Sequence, residues 1–255
     1  LGPLSQPDDD IAVGDVITAI NNRPISSRAD LERALLNQRG EQVLLTTLRG
    51  EVTLQNVVTP ISTGAETNLR YLDWTGDNEQ KVAQASEGSI GYLHLRAMGS
   101  GDVESFARDF FPLVHHDAII VDVRDNSGGN VDSWIIQQFL RKAWSFWQRE
   151  PGTPTYTNMQ NTFRGHLAVL INAGTYSDGE TFAAGIKALE LGTLIGERTA
   201  GAGIWLSDRN SLTDGGMSRV AELPQYGLDG RWLIEGEGIT PDIEVVAEPK
   251  ALFEG

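Results

Sequence analysis

Ser177 lies at a point in the sequence where a strand-like pattern changes into a helical one. The apolar run LAVLI (167–171) has the length of a buried strand, and small, turn-prone residues follow it. Apolar residues then recur at helical spacing, so we predict a helix that begins at 177–179. A serine hydroxyl at a helix start can attack a carbonyl group, and the backbone N–H groups there can bind the resulting oxyanion. Helix capping alone also explains a Ser-Asp pair at this position.

A pair of glycines follows a second predicted strand. The apolar run AIIVDV (118–123) is typical of a central strand covered on both faces, and a helix is predicted from 131 to about 147. Gly128 and Gly129 leave their N–H groups uncovered, although glycine pairs are also common in plain turns. Two successive strand–turn–helix units predict a parallel sheet, in which sites lie outside the carboxyl ends of the strands. We therefore expect Gly129 and Ser177 at the same sheet edge.

Composition excludes several kinds of function. The 255 residues include no cysteine, which rules out disulfides and thiol catalysis. The histidines (His94, His115, His116 and His166) lack the spacing of metal ligands, so we expect neither a metal nor another cofactor. A formal net charge of −15 disfavours nucleic acid and anionic membranes as partners. No apolar run has the roughly 20 residues of a membrane span. The composition leaves the cellular compartment open.

The N-terminal part of the chain has the pattern of a small module. GDVITAINNRPI (14–25) predicts a strand and a tight turn, and Ser26 or Ser27 can cap the helix that follows. A further β-prone run covers 43–48. This order resembles the second half of a PDZ domain, a fold that binds extended peptide ends by strand addition. We expect an incomplete PDZ-like domain over residues 1–60, with its carboxylate-binding loop before Leu1; a plain packing module is the alternative.

Four motifs in the remaining sequence carry a resemblance to a known family. They are DVRxNxGG (122–129), NAGTYSDGE (172–180), GERTAG (196–201) and IEGEGITPD (234–242). Together they resemble the S41 family of serine peptidases, and specifically its tricorn-like branch, in which a PDZ-like segment likewise comes first. The resemblance implies an α/β (α+β) fold, with a crotonase-like ββα peptidase core over 61–255. We interpret the polar residues 57–87 as a crossing between domains.

The resemblance also implies roles for individual residues. Ser177 matches the nucleophile, and the backbone N–H groups of Gly129 and Asp178 match the oxyanion hole. Glu235 matches the carboxylate that supports the charge-relay network, and Glu237 is the second candidate. Without the resemblance, Glu235 would be interpreted as a solvated charge in a hairpin. The expected partners are peptide substrates and a larger assembly such as a homo-oligomer.

The general base is the position at which this chain departs from the family pattern. The carboxy-terminal processing branch uses a lysine, and Ala202 stands in its place within GERTAGAGIW (196–205). The tricorn branch uses a histidine from a segment before the PDZ domain, and no histidine here lies in a matching motif. We therefore expect the base to lie upstream of Leu1 and this chain alone to have little or no activity.

Two other functions are compatible with parts of the sequence. A non-catalytic module with a degenerate S41 core would bind peptide ends without cleaving them. An acyl-CoA enzyme of the crotonase type would also bind an oxyanion with two N–H groups, but it does not explain a serine at a strand-to-helix turn. The peptidase ranks first, because a non-catalytic core has no need for the motifs around Gly129, Ser177 and Glu235 together.

Overall fold

The computed structural model describes residues 2–6, 10–207, 209–246 and 248 of the chain. The chain divides into two compact units, Leu1–Asp77 and Asn78–Gly255. Each unit has its own cluster of buried apolar side chains. The two units are therefore described separately.

The first unit contains an antiparallel sheet with the strand order β2-β1-β3-β4. Its elements are β1 (Val16–Ile20), β2 (Arg23–Pro24), α1 (Arg28–Leu35), β3 (Val43–Arg49) and β4 (Val52–Val58). Asn21 and Asn22 have φ angles of 50° and 62°, the positive values that a tight two-residue hairpin turn requires. Ser27 is the N-cap of α1, as the sequence predicted, and its side chain accepts a hydrogen bond from the Asp30 backbone N–H.

A long helix, α2 (Thr63–Ala85), occupies most of the segment that the sequence analysis interpreted as a polar crossing. The sequence did not predict this helix, because none of its residues is buried and the segment lacks the apolar stripe that marks a helix packed on a core. Contacts between side chains of the helix itself stabilise it instead. One of them is an ion pair at i,i+4 spacing, in which an Arg70 nitrogen lies 2.7 Å from a Glu66 carboxylate oxygen.

The second unit is built around a parallel sheet with the order β13-β10-β9-β6-β5. Its strands in the described residues are β5 (Ile90–His94), β6 (Ala118–Asp122), β7 (Ser145–Trp147), β8 (Tyr156–Asn158), β9 (His166–Ile171), β10 (Thr193–Gly196), β11 (Trp205–Leu206), β12 (Ala221–Leu223) and β13 (Ile243–Glu244). Its helices are α3 (Asp102–Phe110), a 3₁₀ turn (Phe111–Leu113), α4 (Asp132–Leu140) and α5 (Asp178–Ala188). The parallel sheet, with helices between successive strands, confirms the mixed α/β class.

The central strands β6 and β9 are adjacent and carry the core of this unit. Ile119 and Val121 of β6 and Val169 of β9 have no exposed surface, as continuous apolar runs predict for strands covered on both faces. The helices contribute Phe106 and Phe182 to the same cluster. Because β6 and β9 are parallel neighbours, the segments that follow their carboxyl ends lie side by side.

Two predicted elements differ from the structure. Helix α4 ends at Leu140 rather than near Trp147, because the aromatic run that follows forms β7 and pairs with β8. A helix continued to 147 would place Trp144 on the same face as the buried Ile136, whereas Trp144 is 73% exposed. The β-prone residues 231–235 predict a strand, but the structure has a single bridge there, between Tyr226 and Trp232, and Glu235 lies in a turn.

Candidate active site

Two segments meet at the carboxyl edge of the parallel sheet. One follows β6 and contains Asn126 and the glycine pair; the other follows β9 and contains Tyr176 and Ser177. The Tyr176 N–H donates a hydrogen bond to the Asn126 carbonyl at 3.0 Å, which joins the two segments. The structure therefore brings together the two turns that the βαβ pattern placed at this edge.

Ser177 has a backbone conformation that an ordinary helix cap does not need. It occupies the N-cap of α5 with φ 55° and ψ −117°, whereas Ser27, the cap of α1, is extended at φ −147° and ψ 163°. A positive φ at a residue with a side chain costs on the order of 1–3 kcal/mol and persists only where the surroundings enforce it. The same sharp strand-to-helix turn presents the serine in nucleophile-elbow sites. Capping alone does not explain this geometry.

The glycine pair allows the backbone to approach Ser177 closely. A Cβ atom on Gly128 would lie 2.6 Å from the Ser177 Cβ and 3.2 Å from the Asp178 backbone nitrogen. A Cβ atom on Gly129 would lie 1.8 Å from the Met98 carbonyl oxygen, so this residue is confined as well. Any side chain at either position would displace one of the two segments. Both positions therefore require glycine because of this close packing, which a plain turn on the surface would not.

The backbone N–H groups of Gly129 and Asp178 have no hydrogen-bond partner among the described residues. Both residues line an open pocket of about 330 Å³ that also contains Ser177. The remaining lining residues are Asn130, Asp132, Thr181, Gly203, Ile204, Trp205, Leu223, Pro224 and Gln225. Unpaired donors beside a serine hydroxyl are the arrangement that can stabilise an oxyanion.

The Glu180 carboxylate is fully buried directly behind Ser177, and the sequence analysis did not single it out. Its Oε2 accepts hydrogen bonds from the Ser177 N–H at 3.1 Å and the Ala202 N–H at 2.9 Å. Its Oε1 accepts from the Thr199 hydroxyl and the Gly201 N–H, both at 2.6 Å. The spacing Ser-x-x-Glu in SDGE is the capping-box signal that could have identified it.

The Asp178 side chain has contacts of its own, beyond the backbone role that the sequence indicated. Its Oδ2 accepts hydrogen bonds from the Val131 N–H at 2.8 Å and the Asp132 N–H at 3.0 Å, at the start of α4. Burial, together with the neighbouring Asp132 carboxyl, raises the pKa of Asp178 to about 7. Asp178 is therefore a carboxyl that titrates near neutral pH inside the pocket.

Glu235 lies in an exposed turn and does not line the pocket that contains Ser177. Its Oε2 accepts hydrogen bonds from the N–H groups of Gly203 at 2.9 Å and Ile204 at 3.1 Å, two residues that do line the pocket. Glu237 contributes its backbone carbonyl, which accepts a hydrogen bond from Arg198. Of the predicted site residues, Ser177, Asp178 and Gly129 line the same pocket. Glu235 lies outside it and contacts two other residues of its lining, Gly203 and Ile204.

The histidines lie elsewhere, since none of them lines the pocket that contains Ser177. His94 ends β5, where its Nε2 is 2.9 Å from the Arg124 carbonyl oxygen and burial lowers its pKa. His166 begins β9, at the opposite sheet edge, and lines a separate cavity. His115 and His116 follow the 3₁₀ turn after α3.

No group of three or more potential metal-ligating side chains occurs among the residues that the structure describes. None of the helices in this part of the chain is both long and apolar enough to span a membrane.

Comparison with known proteins places these features in a family. The family models described as "Peptidase family S41" and "PDZ domain" match residues 89–245 and 3–59, respectively. A protein named putative tricorn protease homolog 2, from Streptomyces coelicolor, is 32% identical over 252 residues, covering 95% of this chain and 21% of that protein. The tricorn protease of Thermoplasma volcanium is 28% identical over 241 residues, covering 94% of this chain and 23% of that protein.

A solved structure, described as the crystal structure of the tricorn protease, has a TM-score of 0.85 and 27% identity, and the match covers 95% of this chain and 24% of that one. This chain thus spans less than a quarter of the length of these relatives. The peptidase model covers more than half of the chain and includes all four motifs identified in the sequence. The chain is therefore a tricorn-like member of peptidase family S41.

Proposed function

We propose that the chain carries the nucleophile and the oxyanion hole of a serine peptidase that cleaves peptides or unfolded chains. The observation that carries the proposal is the conformation of Ser177, at φ 55° and ψ −117°, beside two unpaired N–H groups in one pocket. A strained serine at the start of a helix has no advantage in a purely structural role, because an extended cap such as Ser27 stabilises a helix without strain.

The proposed reaction has two steps. The Ser177 oxygen forms a bond to the carbonyl carbon of the peptide, and its proton passes to a general base. The N–H groups of Gly129 and Asp178 bind the oxyanion of the tetrahedral intermediate. The C–N bond then breaks, the base returns the proton to the leaving amine, and an acyl-enzyme remains on Ser177. Water attacks this ester in the same way and releases the second product as a carboxylic acid.

The general base in this proposal is a histidine from outside residues 1–255. The four histidines of this chain lie outside the pocket, and the lysine of the processing branch is replaced by Ala202, whose N–H donates to Glu180. A serine hydroxyl without a base is a weak nucleophile at neutral pH. We accordingly propose that this chain alone has little or no peptidase activity.

Glu235 supports this base in the proposal. Its carboxylate lies in an exposed turn, and its contacts with Gly203 and Ile204 fix it against the pocket wall. In this proposal the histidine becomes positively charged when it accepts the Ser177 proton. A Glu235 carboxylate held beside it would stabilise that positive charge. Truncation of Glu235 should therefore lower the rate of acylation without changing the Ser177 turn.

The domain organisation and partners belong to the same proposal. We propose a PDZ-like domain over residues 1–60 that presents peptide ends, followed by the peptidase core over 61–255. Peptides are the proposed substrates, and a homo-oligomer is the proposed assembly. The match of residues 3–59 to the PDZ domain supports the first of these statements.

Labelling with a fluorophosphonate probe tests the nucleophile. We expect the natural full-length polypeptide to be labelled at Ser177, its Ser177→Ala variant to be unlabelled, and residues 1–255 alone to be labelled at least 100-fold more slowly. Equal labelling of the two wild-type proteins would place the base inside this chain.

A peptide-binding module without catalysis is the second candidate, and the absence of any histidine from the pocket lining is the observation that favours it. This module would bind unstructured peptides with unchanged affinity in the Ser177→Ala variant. If the full-length polypeptide neither reacts with the probe nor cleaves peptides, this second function replaces the first.

A further inference from the structure

The two proposed oxyanion donors belong to segments that are far apart in the sequence. Gly129 follows β6, and Asp178 begins α5. An oxyanion hole requires both donors to lie about 2.7–3.1 Å from the position that the oxyanion will occupy. Contacts between the two segments therefore determine whether the hole is formed.

The two segments are joined on both sides of the site. On one side, the Tyr176 N–H donates to the Asn126 carbonyl at 3.0 Å, a contact between two backbone groups. On the other side, the Asp178 carboxylate accepts from the N–H groups of Val131 and Asp132, which lie 47 and 46 residues earlier in the chain. Ser177 and the glycine pair lie between these contacts. On this side, a single side chain accepts both hydrogen bonds from the start of α4.

The surroundings of Asp178 favour this contact in both protonation states. The start of α4 supplies two N–H donors and the positive end of a helix dipole, while burial and the facing Asp132 carboxyl oppose the negative charge. Asp132 and Asp178 are the ionisable side chains among the residues that line the pocket, and Glu180 is held by the loop at 199–202 instead. A proton on Oδ1 leaves Oδ2 free to accept both hydrogen bonds.

We propose that the Asp178 side chain is a positioning residue that fixes the distance between the N–H donors of Gly129 and Asp178. The proposal rests on the proposed peptidase function and adds a side-chain role to a residue that the family resemblance uses only through its backbone. It follows that the correct distance between the two donors requires a hydrogen-bond acceptor at the Oδ2 position of Asp178 but does not require a negative charge there.

Kinetics of the full-length polypeptide on a peptide substrate test the role in catalysis. We expect Asp178→Ala to lower kcat about 10- to 100-fold and to leave KM within about twofold, since the hole acts on the transition state. Asp178→Asn keeps an oxygen that can accept both hydrogen bonds, so it should restore kcat to within about fivefold of the wild type. Asp73→Ala removes an exposed carboxylate from α2, outside the pocket lining and outside residues 1–60, and is the control. Equal kcat values for Asp178→Ala and the wild type would overturn the proposal.

Hydrogen exchange measures the contact without requiring activity. In residues 1–255, the amide protons of Val131 and Asp132 should exchange at least 10-fold faster in Asp178→Ala than in the wild type, and the Asn variant should match the wild type. Unchanged exchange at both amides would show that the contact does not hold the segments. If full-length wild type cleaves nothing, the proposed function fails, and the exchange data still decide whether Asp178 joins the two segments.

Discussion

The Glu180 carboxylate accepts a hydrogen bond at 3.1 Å from the backbone N–H of Ser177, the residue three positions before it. The same carboxylate accepts from Thr199, Gly201 and Ala202, so one buried group joins the serine turn to the loop at 199–202. A buried carboxylate is stable only when it is well paired, and here four donors surround it. The position of Ser177 thus depends on a side chain that does not line the pocket.

Replacement of Glu180 should destabilise the protein strongly. Glu180→Gln places an amide NH₂ against at least one pair of donors, and we expect a loss on the order of 3 kcal/mol in the free energy of unfolding. Urea denaturation measures this loss. Glu79→Gln, on the exposed surface of α2, is the control and should change the free energy by less than about 0.5 kcal/mol. Equal urea midpoints for both variants would contradict this account of the buried carboxylate.

Gly128→Ala should abolish probe labelling of Ser177 in the full-length polypeptide. The new Cβ would lie 2.6 Å from the Ser177 Cβ, so the serine turn has to move, and we expect labelling to slow at least 100-fold. Gly152→Ala is a matched control, because Gly152 has φ 86° against 84° for Gly128 but no atom within 4 Å of a Cβ. Any effect of backbone strain alone should appear in both variants. Normal labelling of Gly128→Ala would mean that the turn tolerates the displacement.

Ser177→Gly should be inactive and more stable than the wild type. Glycine adopts a positive φ without steric cost, so removal of the side chain should release about 1 kcal/mol of strain. Ser177→Ala keeps the Cβ and the strain and should not gain stability. Thermal unfolding of the two variants separates these effects. A lower Tm for the glycine variant than for the alanine variant would argue against strain at this residue.

The Asp178 carboxyl should make stability fall as the pH rises towards neutrality. Its pKa is about 7 in the folded protein against 3.8 for the free side chain, so between these values the folded state holds a proton that the unfolded state has lost. Stability is therefore greatest below about pH 4 with respect to this group, declines up to about pH 7 and is level above it. Relative to Asp178→Asn, which carries no such charge, the wild-type Tm should fall by a few degrees between about pH 5 and about pH 8. Parallel pH profiles for the two proteins would refute the assignment.

The sequence predicted the elements that carry the site because their signals are local. The apolar runs of β6 and β9 and the change of period after Ser177 indicated two strand–turn–helix units, and these lie at one sheet edge. The helix α2 escaped prediction because it buries no residue. The end of α4 escaped prediction because pairing with β8 competes with a helical pattern that continues to Trp147.

The details of the site depend on contacts that no local pattern encodes. In the sequence, Glu180 has the position of an ordinary helix-capping residue. Three of its hydrogen-bond donors, Thr199, Gly201 and Ala202, lie about twenty residues later in the chain. The family resemblance assigned the N–H donor to Gly129, but no sequence pattern shows that Gly128 lies so close to Ser177 that a Cβ atom would be 2.6 Å from the serine Cβ.

The contact between the segments that follow β6 and β9 also affects when the serine can react. The Asp178 carboxylate meets its partner Val131 across 47 residues of sequence, so neither donor is in place until both strands have joined the sheet. A nascent or partly unfolded chain therefore displays Ser177 as an ordinary hydroxyl. In the proposed peptidase, the oxyanion hole beside Ser177 is therefore complete only after this long-range contact has formed.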